Sequence, residues 1–116
     1  LQMYDNAVQN ILYSMQLASQ AGCTIPDHIF YTLSWAYFQG ARLRLTFGDQ
    51  MAISYFAYAM QTINQALAIN PMLFQHHALA GSILMMQGYI DNAEVAFSQA
   101  RSLNPMDGYS NWMRSL

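Results

Sequence analysis

The chain has no lysine, a single cysteine and three prolines, and only 9% of its 116 residues are charged. Its four cations, Arg42, Arg44, Arg101 and Arg114, are scattered. Nucleic-acid affinity rests on a basic stripe that neutralises phosphates, so no direct nucleic-acid contact is expected of this segment. A basic amphipathic membrane helix is excluded on the same ground. One cysteine, Cys23, cannot staple a disulfide scaffold. With no second cysteine or basic neighbour to activate it, Cys23 is read as a buried packing residue. Six glycines and three prolines exclude collagen-like and linker compositions. No run approaches the roughly 18 apolar residues of a membrane helix, so no membrane insertion is expected. The richest run, Ile29 to Phe38, contains Thr32 and Ser34.

What is abundant is apolar surface. Hydrophobic residues make up 54% of the chain, net charge is −2, and mean hydropathy is +0.11. That composition excludes disorder and suits one domain with its own core. It also leaves an unusually uncharged exterior for a free monomer. The expectation is that some apolar surface is covered by protein, either in a homodimer or through missing parts of the same chain. The sequence opens on Leu1 and is expected to be an excerpt. No signal-peptide pattern is seen, and a cytoplasmic, reducing setting is expected.

Two segments end alike, Ala66-Leu-Ala-Ile-Asn70-Pro71 and Ala100-Arg-Ser-Leu-Asn104-Pro105, with the prolines 34 residues apart. At that offset Ala59 matches Ala93, Ile63 matches Phe97, and Ala66 matches Ala100. A small, a large and a small residue at i, i+4 and i+7 share one helical face. Pro26 follows Ala21 as Pro71 follows Ala66, but lies 45 residues before it, 11 more than the other interval. Eleven residues are about three helical turns, enough to lengthen a hairpin while nearly keeping its faces in register.

The spacing predicts helices over 2–21, 26–46, 49–69, 72–87 and 91–103, with another beginning near 107. Gly22 and Gly88 are placed as C-terminal stops. Thr24 with Asp27 reads as a capping box with Pro26 in the first turn, Asp49 as an N-cap, and Asp91-x-x-Glu94 as a second box-like start. Asn70-Pro71 and Asn104-Pro105 punctuate the remaining joints.

From Phe74 to Pro105 the chain resembles a tetratricopeptide repeat. Gly81 stands at the small position of the first helix, Ala93, Phe97 and Ala100 at the small, aromatic and small positions of the second, and Pro105 at the close. Ala36, Ala59, Ile63, Ala66 and Pro71 match a longer unit before it. His77 and Leu84 replace frequent aromatic residues of the family, and Trp35 and Gln39 miss those slots in the longer unit. The resemblance implies an all-α fold of antiparallel helix pairs stacked as a right-handed α-solenoid of five to six helices, with the middle hairpin lengthened. Residues 1–22 would be the second helix of a preceding repeat, 26–71 an extended repeat, 72–105 a regular one, and 106–116 the start of the next helix. First helices of successive repeats would line a concave side, where Phe30, Leu33, Tyr37, Gln75, Ser82 and Met85 are the candidate groove residues.

No catalytic constellation competes with that picture. There is no G-x-S-x-G elbow and no glycine-rich phosphate loop. His76 and His77 are adjacent and point about 100° apart on a helix, so without a distant partner they do not share a metal. Five of the six acids, Asp27, Asp49, Asp91, Glu94 and Asp107, fall near helix starts, where negative charge suits the helix dipole. No enzymatic activity, metal or cofactor is expected. A repeat with lengthened helices ahead of a regular one is similar to the carboxyl-terminal halves of bacterial winged-helix transcription activators. That resemblance implies a protein- or peptide-binding module for transcription regulation. Two other roles compatible with the sequence are a chaperone or assembly factor for a secreted or membrane-associated subunit, and an accessory domain of a signalling enzyme such as a nucleotide cyclase.

Overall fold

A computed structural model describes residues 2–103. The Asn104-Pro105 joint, Asp107 and the helix expected near it lie outside the described residues. Those described are all-α: α1 Gln2–Gln20, α2 Asp27–Thr46, α3 Met51–Ile69, α4 Phe74–Gln87 and α5 Ile90–Leu103, with no strand among them. No helix among the described residues is long and apolar enough to cross a membrane.

The helix stops follow from backbone chemistry. Gly22 and Gly88 take φ of +76° and +90°, the left-handed region that a Cβ disfavours. At each, the next amide reaches back five residues: Cys23 N–H donates to the Ala18 carbonyl, and Tyr89 N–H to that of Leu84, both at 2.9 Å. These are Schellman closures, which satisfy carbonyls that a helix end leaves unpaired. The turn places Cys23 in solvent, so it is not the packing residue expected from its type. The Thr24–Asp27 box does not form either. Pro26 itself is the extended cap residue of α2, with no side-chain hydrogen bond to the first turn. Thr24 stays exposed, and the Asp27 carboxylate turns to other partners. Asp49 is not the N-cap expected for α3: Gln50 holds that position without a side-chain cap, and Asp49, one residue earlier, accepts the Met51 amide at 2.9 Å.

Each helix packs against its neighbours in sequence, and α2 also touches α4. The first hairpin is long, with 20 and 19 residues in α2 and α3; the second has 14 and 14 in α4 and α5. The main core crosses between the hairpins, joining Phe38 and Ala41 of α2, Phe56 and Ile63 of α3, and Leu79 and Ile83 of α4. Ala52, Ala59 and Ala66 recur every seventh residue on α3 and are all buried. Their small size lets α2 approach closely enough for Ser34 Oγ to donate to the Ala59 carbonyl at 2.7 Å. In the second hairpin the same economy is carried by Gly81, which lies under the Phe97 ring, and by the buried Ala93 and Ala100. Among the described residues α1 packs on α2 alone, with Val8 buried against Leu33 and Ala36 and with Met3, Tyr13 and Leu17 exposed.

Candidate functional site

α2 is apolar on nearly every side, and the fold divides its faces among three partners. Leu33 and Ala36 go to α1. Ser34 and Phe38 go to α3, where Phe38 meets Phe56 with ring centroids 6.0 Å apart. Tyr31, Trp35, Phe38 and Gln39 are left facing α4, where Phe74, Gln75, Ala78, Leu79 and Ser82 form the opposite wall of a groove of about 260 Å³.

This corrects the α2 half of the expected groove. Gln75 and Ser82 do line it, but Leu33 is only 3% exposed and packs under α1. Phe30 packs against the main core. Tyr37 is drawn to the other side, where its ring meets Tyr55 at 5.8 Å and Tyr58 at 5.6 Å. Burial, with the neighbouring Tyr55 and Tyr58 phenols, raises its pKa above the usual tyrosine value. Met85 is exposed, while its neighbour Met86 lines the recesses farther along. Periodicity could show that α2 has apolar residues all round. It could not show which stripe α1 would take.

The groove aromatics are held from behind. Tyr4 of α1 stands edge-on to Trp35, centroids 5.7 Å apart at 71°. The Tyr31 ring lies 5.4 Å from His76, which is 1% exposed. His76 Nε2 is 2.8 Å from Asp27 Oδ2, and Asn70 Nδ2 donates to the same oxygen at 3.4 Å. This cluster ties the start of α2 to the end of α3 and the start of α4. Neither partner announces it locally, since 49 residues separate them.

The hydrogen bond from His76, followed by that from Asn70, outweighs partial burial and holds the Asp27 carboxyl below its ordinary value of 3.8. A carboxyl more acidic in the folded chain than in the unfolded one stabilises the fold above the unfolded value. That contribution is lost as pH falls through the lower, folded one. Acid denaturation of the wild-type chain should therefore steepen below pH 3.8, and Asp27→Asn should flatten that part of the curve. Helicity followed against pH for both chains checks it; parallel curves below that pH would refute the linkage.

Two further recesses continue along α2. One, of about 300 Å³, is lined by Tyr4, Gln39, Arg42, Leu45, Thr46 and Met86 among others. The next, of about 310 Å³, lies where Leu45, Ile53 and Phe56 meet Met86 and Tyr89. Ile53 in its wall is 76% exposed, and Phe47 just past the end of α2 is 73% exposed. Among the described residues no cluster of three or more His, Cys, Asp or Glu is arranged to hold a metal. His77 is engaged locally, its Nε2 2.7 Å from the Pro71 carbonyl oxygen. No family model, curated protein or solved structure matches the chain.

Proposed function

We propose that the chain is a non-catalytic protein–protein interaction module, a stack of tetratricopeptide-type hairpins that forms the regulatory domain of a bacterial transcription regulator. The observation that carries the reading is the groove between α2 and α4. It presents Tyr31 and Trp35, flanked by the amides of Gln39 and Gln75, to solvent. Tyrosine and tryptophan dominate the energetics of protein interfaces because they bury much area at little entropic cost. Trp35 is 41% exposed although so large an apolar ring would gain by burial. Its fixing by Tyr4, and that of Tyr31 by His76, prepays part of the ordering cost of binding. Helices packed on their sequence neighbours, with α2 reaching α4, also suit stacked hairpins. The regulator assignment is supported by the layout, a lengthened hairpin ahead of a regular one.

A photo-crosslinking residue at the exposed Gln75, in the protein expressed from its own gene, would capture the partner. Its affinity for the chain would then be measured directly. Trp35→Ala is expected to weaken binding at least about tenfold, as removal of an interface hot spot does. Gln9→Ala, on the exposed side of α1, should leave it unchanged. A partner bound equally well by Trp35→Ala, Gln75→Arg and Ser82→Arg chains would refute the groove.

A further inference from the structure

We infer that the groove takes an extended partner segment carrying one carboxylate side chain between two apolar anchors, with the carboxylate received by Arg42. This rests on the interaction-module reading and specifies its ligand. The three recesses share walls: Gln39 lines the first and second, and Leu45 and Met86 line the second and third. They therefore adjoin one another in a row along α2, and that row is the channel a bound segment would follow. Tyr31 and Leu45 are 14 residues apart on that helix, about 21 Å at 1.5 Å per residue. An extended chain covers that distance in about six residues.

Charge selects the occupant. Among the described residues Arg42 is the only charged one lining the channel, and none of the lining residues is an acid. The nearby acids are already engaged: Asp5 and Asp49 on Arg44, and Asp27 on His76. Among the described residues Arg42 forms no ion pair. Its Nη1 donates to Gln39 Oε1 at 3.3 Å, and its guanidinium carbon lies 5.7 Å from the Phe38 ring centroid. A guanidinium beside apolar walls, with donors to spare, is a receptor for a carboxylate. A single cation gives nucleic acid too little, because phosphate recognition needs several. Seven residues separate Trp35 from Arg42, roughly 10 Å along the helix and about three residues of extended chain. The ligand then places an apolar anchor at Trp35, an acid about three residues away, and a second apolar side chain against Leu45, Ile53 and Met86.

Random dodecapeptides displayed on phage, selected in parallel on the 116-residue chain and on its Arg42→Glu variant, test this. Arg42 is exposed, so the variant leaves the core intact. The wild-type pool should be enriched in a single Asp or Glu flanked by apolar residues. Those peptides should bind Arg42→Glu at least about tenfold more weakly, as loss of a charge-assisted hydrogen bond requires. The variant's own pool should shift to Lys or Arg at that position. Peptides lost on Trp35→Ala but indifferent to Arg42→Glu would overturn the carboxylate while keeping the groove. Peptides indifferent to both substitutions, or no enrichment at all, would remove the channel as a docking site and the groove reading with it.

Discussion

Gly81→Leu is expected to lower the unfolding free energy by about 3 kcal/mol, at the upper end of what overpacking costs. A Cβ on Gly81 would lie 2.8 Å from both Cδ1 and Cε1 of Phe97 and 3.0 Å from Cζ. Real Cβ atoms do not come so near a ring, so the ring must shift for any side chain, and the branched end of a leucine beyond that Cβ either drives the ring out or parts α4 from α5. Phe97 is half-buried, which makes expulsion the cheaper route and caps the cost near its burial energy of about 2–3 kcal/mol. Gly81→Ala asks only for a small ring shift. It also regains about 1 kcal/mol of helix propensity, so it should cost less than about 1 kcal/mol net. Phe97→Ala in the leucine background should restore part of the loss, giving a coupling of at least about 1 kcal/mol in the double-mutant cycle. Urea denaturation of the four chains measures it. Among the described residues α5 packs only on α4, so amide exchange in Gly81→Leu should speed up in α5 before α2. A Gly81→Leu chain as stable as wild type would show that the seam is not closed.

The Gly81–Phe97 contact belongs to the part of the fold that can be read from the sequence. The resemblance to a tetratricopeptide repeat puts a small residue at 81 in one helix and a large one at 97 in its partner, which implies two helices meeting closely. The helix stops are legible for a similar reason, because Gly22 and Gly88 act through their own backbone and need no distant partner. On α4, Gln75 and Ser82 line the recess against α2, whereas Met85 does not. The α2 side of the groove is not legible. Leu33 and Tyr37 lie on an apolar helix whose faces are allotted only when α1 and α3 dock, and hydropathy is blind to which neighbour claims which stripe. Tyr31 and Trp35 were visible as aromatics but not as groove walls. The polar ties are the least legible. His76 finds Asp27 across 49 residues and Arg44 finds Asp5 across 39. Asp27, read locally as a helix-start charge, spends its carboxylate on holding three helices together.

Asp5→Ala should destabilise the chain more than Arg44→Met, although the arginine makes more of the contacts. Arg44 Nη2 lies 3.0 and 2.8 Å from the two Asp5 oxygens, Nε lies 3.9 Å from Asp49 Oδ2, and the guanidinium carbon sits 3.8 Å from the Tyr55 ring centroid. Burial opposes its charge, but the Asp5 hydrogen bond and the nearby Tyr55, Asp5 and Asp49 together raise its pKa above the ordinary arginine value. The residue is 8% exposed, and Nη1 is buried with no hydrogen-bond partner. Removing Asp5 strands a buried cation against a distant carboxylate and a ring face. Such stranding costs roughly 3 kcal/mol when no water can enter. Removing the arginine strands only Asp5, whose side chain is 36% exposed and can rehydrate. Methionine would keep an unbranched stem against Tyr55 and remove the unpaired Nη1, so that change should cost about 1 kcal/mol or less. The cost of Asp5→Ala has a ceiling, because among the described residues α1 packs only on α2 and can lift away to let water reach the guanidinium. Amide exchange along α1 should therefore accelerate in Asp5→Ala far more than in Arg44→Met, with α3 protected in both. Equal losses from the two substitutions in urea denaturation would mean that Arg44 is hydrated in solution and that α1 is held by its apolar packing on α2 alone.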